Sequence, residues 1–136
     1  MKIGPLSAAR ARLFEWGSCV RSIIFAGAPH PSIYSEQPFT NERINFDFNT
    51  VDREIFKGAR FDRAIETDEW IDPIKLDNPT MYEALVVRYV DRMPAGRHIT
   101  RQEQQVFEFN QRTGLGMTAY YARLKKAETY IAMYLS

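Results

Sequence analysis

Apolar residues return at helical intervals in five stretches of the chain, and a proline-rich gap separates the first from the rest. Leu6, Leu13, Trp16 and Val20 recur at spacings of seven, three and four, with Arg10 and Arg12 between them. This predicts an amphipathic helix over about 6–21, inside an N-terminal segment of 1–25. Pro5 suits its start, because the N–H that proline lacks would be unpaired there anyway. From Gly27 to Asn41 the periodicity stops. Pro29, Pro31 and Pro38 lie among Ser, Tyr and Gln, which predicts irregular chain pinned by Ile33, Tyr34 and Phe39. Ile44, Phe46 and Phe48 alternate with Asn45 and Asp47, a short run with strand periodicity.

Helical spacing resumes with Phe61, Ala64, Ile65, Trp70 and Ile71, predicting a helix over about 62–71 that Asp72-Pro73 should stop. Asn78-Pro79-Thr80 reads as a new start. Met81, Leu85, Val86, Tyr89 and Val90 then form a stripe, ended by the break Met93-Pro94-Ala95-Gly96. Thr100-Arg101-Gln102-Glu103 has the capping-box pattern, and Val106, Phe107 and Phe109 continue a helix to about Gln111. Thr113-Gly114-Leu115-Gly116 is a tight turn whose glycines can take positive φ. The last helix, about 117–134, carries Tyr120, Leu124, Ala127 and Ile131 at spacings of four, three and four. The pattern predicts a mainly α protein, one compact unit over 1–136. An N-terminal helix and an irregular segment over 26–60 pack with a helical region over 61–136, which holds a helix-turn-helix at about 100–134.

Composition places the chain among ordinary globular proteins: 136 residues, 45% hydrophobic, 26% charged. Its longest uncharged apolar run, Ser22 to Ala28, is far short of the roughly 20 residues that span a bilayer, and the N-terminus lacks a signal peptide's apolar core. A single cysteine, Cys19, can form neither an intrachain disulfide nor a cysteine-based zinc site, and suits a reducing cytoplasm. The net charge of +1 argues at first against a nucleic-acid partner. Its distribution argues otherwise: residues 1–22 carry +3, residues 23–80 carry −5 and residues 81–136 carry +3.

The basic C-terminal share falls on the expected helix-turn-helix. One face of the final helix, Tyr120, Leu124, Ala127 and Ile131, would meet a core. The other holds Met117, Thr118, Tyr121, Ala122, Lys125, and also Arg123 and Lys126. Small and polar groups near the helix start allow approach to base edges, and the cations further along can meet phosphates. Arg101 and Arg112, with Arg97 and His98, could add backbone contacts.

Other residues support less specific chemistry. Glu66, Asp68, Glu69 and Asp72 form the densest acidic cluster, which reads as a solvated helix face or as the carboxylates of a metal-dependent nuclease. His30 and His98 have no nucleophile or carboxylate motif tied to them, so the residues give general acid–base catalysis little support. Cys19 and Trp16 read as packing. Arg12 and Arg21 read as surface charge or as a second contact to a partner.

Two ends of the chain resemble a known family. "MYEALVVRYVD" (residues 81–91) and "QRTGLGMTAYYARLKKAETYIAMYL" (residues 111–135) resemble the C-terminal portion of phage antitermination proteins of the Q type, whose helix-turn-helix is similar to region four of bacterial sigma factors. Tyr82, Leu85 and Tyr89 meet the pattern before the motif; Gly114, Tyr120, Tyr121, Leu124 and Ala127 meet the motif itself. "RLFEWGSCVRS" (residues 12–22) resembles the opening of such proteins. The resemblance implies a non-enzymatic late-gene antiterminator in the cytoplasm of the bacterial host, with neither cofactor nor metal. It would bind double-stranded DNA at a late promoter and RNA polymerase with its sigma factor, with nascent RNA a further candidate. It would then travel with the enzyme past pauses and terminators. The acidic, aromatic middle (Tyr34, Phe39, Phe46, Phe48, Phe56) reads as ordinary core or as a polymerase contact. The alternatives are a DNA-binding regulator acting only at the promoter and, more remotely, a metal-dependent phage nuclease or packaging protein.

Overall fold

The computed structural model describes residues 4–28, 30–34, 48, 51–92 and 96–135. Among them are α1 (Pro5–Phe25), α2 (Ala59–Asp77), α3 (Pro79–Leu85), α4 (Arg101–Thr113) and α5 (Met117–Tyr134); α3 runs on into a π-helical turn, Val86–Asp91. The mainly α expectation holds. Of the expected strand only Phe48 is described, and it is buried; residues 44–47, Phe39 and the break at 93–95 lie outside the described residues.

Several boundaries sit where local chemistry puts them. Asn78 caps α3 by accepting the Met81 N–H at 3.2 Å, with Pro79 in the first turn. Thr100 Oγ1 accepts the Glu103 N–H at 3.1 Å, and the Thr100 hydroxyl donates to the Glu103 carboxylate at 3.0 Å. That is one half of a capping box, since the carboxylate meets the hydroxyl.

The expected stop at Asp72-Pro73 is corrected: α2 continues through Pro73 to Asp77. An interior proline costs about 3 kcal/mol. Ile71 and Ile74 on either side of it are both buried, and burying such side chains contributes about 1.5–3 kcal/mol each. Long-range packing therefore outweighs the local preference, and the Pro73 ring sits on the exposed side.

The core is built around α3. Every residue from Met81 to Val87 is buried, so this segment is enclosed on all sides rather than presenting one stripe. α2, α4 and α5 pack on α3, and α1 and α4 pack on the π turn. α1 contributes Ala9, Leu13, Trp16, Val20 and Ile23; α5 contributes Tyr120, Leu124, Ala127 and Ile131, the face that its spacing indicated. Gly17 sets the closest approach. A Cβ there would lie 2.0 Å from the Tyr89 carbonyl oxygen, so only glycine lets α1 lie against the π turn. Arg21 fixes the same junction, its Nη1 donating to the Tyr89 and Val90 carbonyls at 2.6 and 3.1 Å. These carbonyls end a helix and need such a donor.

Candidate nucleic-acid interface

α4 and α5 are joined by three residues whose conformation is pinned by hydrogen bonds. Gly114 takes φ 76°, the left-handed conformation that suits glycine after a helix, and its N–H donates to the Asn110 carbonyl at 2.8 Å. Asn110 Nδ2 donates to the Leu115 carbonyl at 3.2 Å, and the Leu115 N–H donates to Thr113 Oγ1 at 3.2 Å. The Phe109 and Tyr120 rings meet across the turn with centroids 5.1 Å apart. The turn thus holds α5 at a fixed setting against α4.

On α5 the outward face is open. Met117 is 60% exposed and Tyr121 43%, and Thr118, Ala122, Lys125 and Lys126 are exposed with them. The only carboxylate of α5, Glu128, is buried beside this face and bonded to Arg10 and Tyr89. The exposed positions of this face therefore carry Lys125 and Lys126 with no exposed acid among them. Arg101 stands exposed at the start of α4, and Arg97 and His98 are exposed before it. Arg123 is half-buried and donates Nε to Thr80 Oγ1 at 2.8 Å, which ties α5 to the first turn of α3.

Arg112 does not belong to this face, and its expected backbone contact is corrected. Its side chain is 14% exposed and turns inward. Nη1 lies 2.9 Å from Glu83 Oε1, Nη2 lies 2.8 Å from Asp91 Oδ2, and Nε donates to Glu108 Oε1 at 3.1 Å. Burial opposes its charge, but Asp91 and Glu83 outweigh that and raise its pKa. The network extends into the proline-rich segment. Ser32 Oγ donates to Glu83 Oε1, and the Ser32 N–H donates to His30 Nδ1 at 3.1 Å. With Nδ1 accepting, the His30 Nε2–H is the donor to Asp91 Oδ1, at 2.7 Å. His30 and Ser32 therefore anchor the irregular segment to the core.

A second buried polar cluster lies beneath the exposed face of α5. Tyr89 Oη donates to Glu128 Oε2, which also accepts from Arg10 Nε at 3.2 Å. Burial raises the Tyr89 pKa, and the bond to Glu128 adds to the effect. Gln105 accepts from Arg88 Nη1 at 3.3 Å and from Tyr120 Oη at 3.4 Å through the same Oε1. These groups floor a cleft of about 540 Å³ whose rim includes Tyr121, Lys125 and Gln102.

No protein-family model, curated protein or solved structure matches the chain.

The remaining candidates take structural parts. Arg12 pairs with Glu66, donates to Thr67 Oγ1 at 3.3 Å and lies 4.8 Å from the Trp70 ring centroid. Trp16 Nε1 donates to Asp68 Oδ1 at 3.0 Å. Two carboxylates of the acidic cluster are thus engaged across the α1–α2 contact, and among the described residues no group of three His, Cys, Asp or Glu could hold a metal ion. Cys19 is buried, and burial raises its thiol pKa. Phe56 packs on Phe61 with centroids 5.5 Å apart.

Arg10, Arg88, Gln102, Gln105 and Glu128 are brought together by the fold without having been marked by any motif. One signal was present in the sequence. Glu83 and Arg88 interrupt an otherwise apolar helical run, and a charge at a core position must find a partner.

Proposed function

We propose that this chain is a phage late-gene antitermination factor of the Q type, docking double-stranded DNA with the N-terminal half of α5 and acting on RNA polymerase without covalent chemistry, in the cytoplasm of the host. The observation that carries the DNA-binding part is the outward face of α5. Thr118, Tyr121 and Ala122 are exposed within the first two turns and Lys125 and Lys126 follow one turn later, with no carboxylate among them. α4 and its hydrogen-bonded turn would act as the first two parts of a helix-turn-helix, α5 as the helix in the major groove. The N-cap residue Gly116 offers no side-chain acceptor, so the first N–H groups of α5 can meet a phosphate. Arg101, Arg97 and His98 are further exposed basic groups, at and before the start of α4. The antitermination part rests on the resemblance at residues 12–22, 81–91 and 111–135.

A single-round transcription assay tests both parts. Complexes of the cognate polymerase started at the late promoter should read through a downstream terminator more often when the protein is added. A protein that shifts promoter DNA and changes initiation alone is the promoter-only regulator. One that does neither overturns the proposal. Digestion of DNA in Mg²⁺, lost in Glu66→Ala, would establish the nuclease reading instead.

A further inference from the structure

Four elements meet around the cleft beneath α5. Arg10 comes from α1, Arg88 from the π turn, Gln102 and Gln105 from α4, and Tyr120, Tyr121, Leu124, Lys125 and Glu128 from α5. Its volume of about 540 Å³ is within the ~300–1,000 Å³ typical of small-ligand sites. Its lining is sorted by chemistry.

Three cations reach it, and among the described residues no carboxylate pairs with Arg88 or Lys125. The single carboxylate, Glu128, is satisfied by Tyr89 and Arg10. The cleft is therefore net cationic and has its own acid neutralised. The Gln105 amide lies at the floor, 2% exposed, and its Oε1 is fixed by Arg88 and Tyr120. With Oε1 taken up by these two donors, the amide offers a base only its Nε2–H donors. Gln102 lies one turn earlier on the exposed side of α4. Tyr121 stands at the rim, part exposed, and its ring is set edge-on to Tyr120 at 5.1 Å and 67°. An aromatic ring braced in this way is a stacking platform.

We infer that this cleft binds one nucleotide, with the base stacked on Tyr121 against the Gln102 and Gln105 amides and the phosphate on Arg88 and Lys125. An oriented amide donor, a braced ring and two cations without a carboxylate partner match a planar polar base joined to an anion. An acidic peptide would use only the cations. The inference shares Tyr121 and Lys125 with the proposed DNA face but does not depend on it. A paired base in a duplex cannot enter a cleft. The nucleotide is either free in solution or unpaired in a strand.

The full chain is titrated with nucleoside 5′-monophosphates, with inorganic phosphate, and with a labelled duplex that carries or lacks one bulged nucleotide. Monophosphates binding more tightly than phosphate identify a free effector. Preference for the bulged duplex identifies a strand nucleotide, and either result supports the inference. In either arm Tyr121→Ala and Gln102→Ala, both at exposed positions, should weaken binding about tenfold or more, the size of a lost base stack, while Lys57→Ala, at an exposed position outside the cleft, should leave binding unchanged. Equal binding of bulged and intact duplex together with no monophosphate binding overturns the inference while leaving the duplex-docking proposal standing. Monophosphate binding without any duplex binding does the reverse. Binding preferences unchanged in both Tyr121→Ala and Gln102→Ala would also overturn it.

Discussion

Arg112 Nη1 lies 2.9 Å from Glu83 Oε1, and this pair joins the last turn of α4 to the enclosed helix α3. Glu83 is wholly buried. An ionised carboxylate removed from water is costly unless a cation and hydrogen bonds replace the lost hydration. Arg112 serves Glu83, Asp91 and Glu108 together, so it is the shared counter-ion of three acids.

Removing Arg112 should therefore be among the most destabilising single changes. Arg112→Ala leaves the buried Glu83 without a cation and Asp91 with His30 alone, and a broken buried pair typically costs about 3–5 kcal/mol. A urea melt measures the loss. A shift below about 1 kcal/mol, the usual worth of an exposed ion pair, would place the guanidinium on the surface after all.

The pH dependence of Glu83 has a definite sign. Burial pushes its pKa above the ordinary carboxylate range, against the opposing pull of the Ser32 hydrogen bond and the Arg112 charge. In the window between the ordinary value and the raised one, the native chain binds more protons than the unfolded chain. Stability therefore falls as pH rises through that window. Glu83→Gln removes this contribution. Its stability relative to the parent, from urea midpoints across the mildly acidic to neutral range, should improve with rising pH. A difference that is flat, or that worsens with pH, would contradict the raised pKa.

Gly17→Ala sets two effects against each other. Alanine favours a helix interior over glycine by about 1 kcal/mol. The new Cβ would lie 2.0 Å from the Tyr89 carbonyl oxygen, which is backbone and cannot swing away. Overpacking of this kind costs about 1–3 kcal/mol, and here it also disturbs the Arg21 bonds to Tyr89 and Val90. Net destabilisation of about 1–2 kcal/mol is expected. A variant with a raised melting temperature would show that α1 and the π turn are further apart.

The difference between what the sequence disclosed and what it hid follows from the range of the forces. Tyr120, Leu124, Ala127 and Ile131 were legible as a buried face because helical spacing and burial are both local properties of α5. The caps at Asn78 and Thr100 were legible for the same reason. Pro73 misled because its cost is local, whereas the burial of Ile71 and Ile74 that offsets it depends on the packing of other helices. Arg112 misled in a similar way. Beside a glycine turn it reads as a surface cation, and it turns inward because Glu83 stands 29 positions earlier in the chain. The cleft was invisible, since Arg10 and Glu128 are 118 positions apart. Whether an arginine faces water or a carboxylate depends on such distant partners.

Lys126 and Thr118 separate phosphate from base contacts on α5. Lys126 is exposed and far enough along the helix to meet the DNA backbone. Lys126→Ala should weaken specific and random duplexes almost equally and lower the salt slope by about one. Thr118 is exposed in the first turn of α5, where a groove-docked helix meets base edges. Thr118→Ala should relax sequence preference by about 1–3 kcal/mol at one base position and leave random DNA nearly unaffected. Anisotropy titrations with cognate and scrambled duplexes at several salt concentrations measure both. Both variants remain folded by this account, because neither side chain reaches the core, so unchanged melts serve as the control. If the two substitutions acted alike on cognate and scrambled DNA, the N-terminal half of α5 would not be the reading surface.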